Sequence, residues 1–147
     1  MSRDWTLIET LLPQDTNPAG SVFGGVIMGL MDKAAAIAAW RYARCEVVTA
    51  GAEEIAFLRP VRLGEVVKVE ARVVCTGRTS IEIAVAVEAE NVFTGESHEA
   101  ARGFFTMVAL GKDGKPAEVP RWEPGTDEER RHCEAARVRR AKRRERK

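Results

Sequence analysis

The sequence predicts an α+β fold in which one long central helix is wrapped by a curved antiparallel sheet of five or six strands. Three observations carry that expectation. Val26 to Tyr42 has few polar residues and is rich in Ala, Met, Leu and Ile, a composition that favours helix over strand at this length. Several later segments alternate apolar and polar residues with a period of two, as half-buried strands do. Short turn sequences join these segments in order, which suits hairpins. A helix that is apolar nearly all round should be swallowed by the fold, and a sheet curved around it would do so.

In chain order, Trp5 to Leu12 reads as a first strand, ended by Pro13. Asp15 to Gly20 is turn-rich, because Asn17, Pro18 and Gly20 each oppose regular structure. Gly24-Gly25 then opens the helix. Val47 to Leu58 is the second strand, where Gly51 hints at a bulge or close backbone approach. Arg59-Pro60 interrupts the ladder, since proline has no N–H to donate. Leu63-Gly64-Glu65 turns into Val66–Thr76, with Val67, Val69, Ala71, Val73 and Cys75 on the apolar face. Gly77-Arg78 turns through Thr79-Ser80 into Ile81–Val92, and Phe93 to Glu96 turns into a last strand over Glu99–Leu110. Residues 1–111 thus form the main domain, 112–125 a Gly/Pro-bearing linker, and 126–147 a charged, helical tail.

The tail is different in kind. Residues 126–147 carry net charge +5 and residues 1–125 carry −4, within an overall +1. Thr126 is a suitable N-cap, with acids in the first turn and bases toward the end. One reading is a basic arm for nucleic acid, anionic lipid or substrate phosphates. The plainer one is a solvated helix; the absence of aromatic residues among the charges argues against nucleic acid. No apolar leader follows Met1, and Asp32 and Lys33 interrupt the one long apolar run, so neither secretion nor a membrane span is expected. Cys45, Cys75 and Cys133 are odd in number and widely spaced. They suggest neither a disulfide framework nor a zinc site, and fit a reducing, cytoplasmic compartment. With only His98 and His132, a histidine-based metal cluster is not expected. Three amides in an Arg/Glu-rich chain hint at heat adaptation.

Chemistry concentrates on the helix. Asp32 is its lone acid, and an unpaired buried carboxylate costs several kcal/mol, roughly. Either it meets solvent, Lys33 or an arginine, or it serves as general base or nucleophile. Gly24 and Gly25 stand at the helix start, where free N–H groups and a partial positive charge could bind an oxyanion. Asp32 lies roughly 10 Å down the axis from there. One reaction centre would therefore take the acid from one copy and the amides from another. Thr49, on the following strand, could orient a water, or be an ordinary strand threonine.

Asn17-x6-Gly24-Gly25-x6-Asp32, followed by Phe57-Leu58-Arg59-Pro60-Val61-x2-Gly64-Glu65, resembles the acyl-CoA thioesterases of the hotdog fold over about residues 5 to 111. The chain is most similar to their small bacterial and cytosolic branch, in which the helix often opens with His-Gly-Gly where Phe23-Gly24-Gly25 stands here. The resemblance implies hydrolysis of acyl-CoA to fatty acid and CoA without metal or organic cofactor. It also implies a dimer or larger assembly (tetramer or hexamer) with active sites at the dimer interface. Asn17 would position the thioester or the water, and Asp32 would work with Asn17 and Gly24 of the other copy. Gly77-Arg78-Thr79-Ser80 resembles a family turn along the pantetheine path. Arg59, Arg62 and Arg78 are candidates for CoA phosphates, or else solvated strand-end charges. Two alternatives remain. A dehydratase or hydratase of the same fold would need a histidine beside the carboxylate, for which His98 is the one candidate. A non-catalytic acyl-CoA-binding module would use the tail to dock nucleic acid.

Overall fold

The computed structural model describes residues 4–146. The order is β1 (Asp4–Thr10), a 3-10 turn (Pro13–Asp15), α1 (Gly24–Ala43), β2 (Glu46–Phe57), β3 (Val66–Thr76), β4 (Ser80–Glu90), β5 (Ser97–Leu110) and α2 (Asp127–Glu145). The strands form one antiparallel sheet in the order β1-β3-β4-β5-β2. Five strands are thus observed, within a few residues of their expected bounds, and β1 and β2 are the edges.

α1 lies against one face of this sheet and touches every strand. Ala34, Ala35, Ala38 and Ala39 are fully buried there, and such small side chains let backbone and sheet approach closely. Across from them sit Val67, Val69, Ile81, Ile83, Val87, Ala101 and Met107, all fully buried. The expectation that the whole helix would be swallowed is not met within one chain. Phe23 at its start, Met28 and Trp40 are exposed, because a single five-stranded sheet covers one side of a helix and not its whole circumference.

The other face of the sheet carries α2. Thr126 caps it, its side chain accepting from Glu129 N at 3.0 Å. Cys133 and Ala136 are buried beneath it, and Arg139 Nε donates to Glu82 Oε1 at 3.0 Å. Arg139 also stacks 3.6 Å over the Phe104 ring, while Arg143 pairs with Glu53 and donates to Thr106 at 2.7 Å. The helix is therefore docked on the sheet. The stretch before it is also pinned: Ala117 N donates to Ala109 O, Val119 N to Arg78 O, and Trp122 N to the Thr76 hydroxyl.

Two expectations are corrected at this face. Cys75 does not continue the apolar row of Val67 to Val73. A bulge between Val73 and Cys75 adds one unpaired residue, so Cys75 falls opposite Glu82 on the α2 side. There it is disulfide-bonded to Cys133, with Cα atoms 4.7 Å apart. The cysteine pattern read as free thiols is thus one disulfide and one free thiol, Cys45. The argument from that pattern to a reducing compartment falls with it. Among the described residues no helix is long and apolar enough to cross a membrane.

Candidate active site

α1 begins where the chain leaves a tight loop. Asn17 accepts from Ala19 N (2.9 Å) and Ser21 N (3.3 Å) through Oδ1, and its amide donates to Ser21 Oγ at 2.9 Å. Its backbone N–H donates to Ser21 O, so Asn17 shapes the loop as an Asx-type turn residue. Val22 N donates to Val61 O, which ties this loop to the Arg59–Glu65 segment. Phe23 is the N-cap residue and supplies no side-chain cap. The N–H groups of Gly24 and Gly25 consequently have no acceptor among the described residues. A shallow pocket of about 260 Å³ opens beside them, lined by Gly24, Phe57, Arg59 and Val61. A Cβ built on Gly24 would stand 3.3 Å from the Phe57 ring, whereas Gly25 faces open space.

Two turns along the same helix, Asp32 is half-buried beside β2. The Thr49 hydroxyl donates to Asp32 Oδ1 at 2.6 Å, a short charge-assisted bond. Thr49 also sits 3.4 Å from Met107 Sδ, but its single proton goes to the carboxylate. Thr49 thus holds the acid itself, whereas the sequence pointed to a water as its partner. No ion pair to Asp32, from Lys33 or an arginine, occurs among the described residues. One carboxylate oxygen is oriented and the other is left for a substrate or water.

The structure therefore groups the expected residues in three places. Asp32 and Thr49 meet. Asn17, Gly24, Gly25, Arg59 and Arg62 gather at the helix start, where Arg62 N donates to Glu65 Oε1 at 2.7 Å. Gly77, Arg78, Thr79 and Ser80 form the β3–β4 turn at the far end of the strands, where Arg78 faces Glu118 at 3.7 Å. His98 lies at the start of β5, 3.1 Å from Pro60 O and 3.9 Å from Glu65. Thr49 is paired with Met107, nine residues further along β5, roughly 30 Å from His98 at 3.3–3.4 Å per residue. Within one chain His98 and Asp32 are thus at opposite ends. Sequence reasoning did not foresee Arg139 and Arg140 of α2, because nothing local says which arginines of a basic helix face the sheet. Among the described residues no group of three or more potential metal ligands forms.

An antiparallel five-stranded sheet packed on one long helix is the architecture of the hotdog class of α+β proteins. Residues 19–93 match the Thioesterase superfamily, and the chain belongs to that family. It is similar to the "uncharacterized acyl-CoA thioester hydrolase YkhA" of Bacillus subtilis, 42% identical over 119 residues, covering 81% of this chain and 69% of that one. An apo-hexameric acyl-CoA thioesterase superposes with a TM-score of 0.91 at 38% identity, covering 98% of this chain and 92% of that one. An acyl-CoA hydrolase from Staphylococcus aureus, solved with butyryl-CoA, CoA and CoA disulfide, gives 0.88 at 34% identity, covering 99% and 88%. That staphylococcal enzyme has also been solved with alanine replacing an Asn, an Asp or a Thr. The first two of those positions are 15 residues apart and the last two 17, the spacing of Asn17, Asp32 and Thr49 here.

Proposed function

We propose that this protein hydrolyses acyl-CoA thioesters to a free carboxylic acid and CoA. Asp32 acts as general base or nucleophile, and the Gly24 and Gly25 amides of a second copy act as the oxyanion hole. The observation that carries this reading is the Thr49–Asp32 hydrogen bond on a helix whose first N–H groups have no acceptor. As a base, Asp32 takes a proton from water as the water oxygen bonds to the thioester carbonyl carbon. The carbonyl oxygen becomes an oxyanion in range of the amides, the C–S bond then breaks, and the thiolate recovers the proton. As a nucleophile, the carboxylate forms a mixed anhydride with loss of thiolate, and water cleaves the anhydride. Neither route calls for a metal or organic cofactor, since a thioester is electrophilic and a thiolate leaves readily. Asn17 helps to position the thioester or the attacking water, and Arg59, Arg62 and Arg78 remain candidates for the CoA phosphates.

Self-association completes the site. β2 is a twelve-residue edge strand with no strand paired to its outer side among the described residues, and Val48, Phe57 and Leu58 on or beside it are exposed. A second copy pairing along this edge would cover them and bring a second α1 alongside. The hexameric assembly of a structural neighbour fits further association of such dimers.

The test is Asp32→Asn, which keeps an acceptor for Thr49 and removes the base. Turnover of a panel of acyl-CoAs, followed by trapping the released thiol, should fall by about 10²-fold or more with CoA affinity and melting temperature near wild type. Saturable binding without thiol release by the unmodified protein would instead identify a binding module. Water addition or loss without thiol release would identify a hydratase or dehydratase.

A further inference from the structure

The arginines of α2 divide into two sets. Arg139 and Arg143 turn into the sheet and are met by Glu82, Glu53 and Glu54. Arg140 is not. It has no counter-ion and no hydrogen bond among the described residues, although it is half-buried. Its guanidinium lies directly over Gly77 of the β3–β4 turn, so closely that a Cβ on Gly77 would collide with Nη1. Ser80 Oγ lies close to the same spot, 2.7 Å from where that Cβ would stand, and its hydroxyl also has no hydrogen bond among the described residues. Arg137, paired with Glu134 at 3.5 Å, and Arg143, paired with Glu53, line the same cleft with Glu82, and Arg144 adds a further charge. Burial and then the charges of Arg144, Arg137 and Arg143 hold the Arg140 guanidinium below its ordinary pKa, Glu82 offering the only relief.

A cation so placed lacks an anion. We propose that Arg140, with the Ser80 hydroxyl across Gly77 and Arg137 and Arg144 beside it, forms a phosphate-binding site for a nucleotide. The planar guanidinium presents paired donors that match two phosphate oxygens, the serine adds a third donor, and the surrounding charges suit a dianion better than a carboxylate. Glycine at position 77 is what admits the guanidinium. A continuous nucleic-acid groove is disfavoured, because Arg139 and Arg143 are already neutralised and no aromatic residues flank the cleft. The phosphate has two sources, the nucleotide end of a CoA thioester or a free nucleotide. The first rests on the acyl-CoA reading given above; the second does not.

The experiment titrates the full chain with adenosine 3′,5′-bisphosphate, CoA and 3′-dephospho-CoA by calorimetry, alongside acyl-CoA and acyl-pantetheine kinetics. Arg140→Gln removes the charge, Gly77→Ala displaces the guanidinium without removing it, and Arg131→Gln makes the same charge change at an exposed position of α2. Arg140→Gln and Gly77→Ala should each weaken adenosine 3′,5′-bisphosphate about tenfold, with Arg131→Gln within about twofold of wild type. In Arg140→Gln, a matching rise in KM for acyl-CoA, with kcat and acyl-pantetheine turnover unchanged, assigns the site to the substrate's own nucleotide. Weakened nucleotide binding with KM unchanged assigns it to a free nucleotide. Nucleotide binding by a protein that releases no thiol would sink the hydrolase reading and leave this site standing. The proposal is overturned if the wild type does not bind the bisphosphate. It is equally overturned if folded Arg140→Gln binds as wild type does, or if Arg131→Gln loses as much.

Discussion

Breaking the Cys75–Cys133 bond should lower stability markedly while sparing catalysis. The two cysteines are 58 residues apart, and cross-linking a loop of that length removes chain entropy from the unfolded state worth about 4 kcal/mol at 25 °C. For a chain of this size about 4 kcal/mol corresponds to a fall in melting temperature on the order of 10 °C. Cys133→Ala is the suitable variant, since Cys133 is buried and a serine there would bury a new hydroxyl. Melting would be compared for wild type with and without dithiothreitol and for the variant, at one protein concentration because association shifts apparent stability. Reduced wild type and the variant should agree, and the reductant should leave the variant unchanged. Turnover at 25 °C should persist, because α2 lies on the face of the sheet opposite α1 and Asp32. If reduction moved the melting temperature by less than about 2 °C, the entropic reasoning would fail and the ion pairs alone would hold α2.

Three further outcomes are expected. Thr49→Val should lower kcat about tenfold, less than Asp32→Asn, with little change in melting, since it frees the carboxylate without removing it; an unchanged kcat would show that Asp32 needs no orientation. Arg139→Ala should cost about 3 kcal/mol in denaturant unfolding, because it strands the buried Glu82 carboxylate, while Arg137→Ala on the exposed side should cost under about 0.5 kcal/mol. Val48→Lys on the open β2 edge should reduce self-association in sedimentation and lower activity in parallel; a fully active monomer would contradict a site shared between two copies.

Much of the fold was legible in the residues. Period-two alternation located β3 and β4, the Ala-rich apolar run located α1, Thr126 marked the start of α2, and Gly51 lies at a register shift in β2. The bulge at Val73–Cys75 was not legible, because one inserted residue among valines leaves no mark in composition while reversing the side of everything after it. For the same reason the disulfide was hidden: its partners are 58 residues apart, and only the flipped strand and the docked helix bring them together.

The candidate site divides along the same line. An acid inside an apolar helix and a glycine pair at its start can be read from neighbours in the chain, since their oddity is local. That Thr49 grips Asp32, and that Arg139 is satisfied while Arg140 is not, depends on which faces meet across the sheet. Local propensity sets what each segment becomes. Pairing register and helix docking set what each side chain touches, and those are chosen by the summed burial and charge of the whole chain.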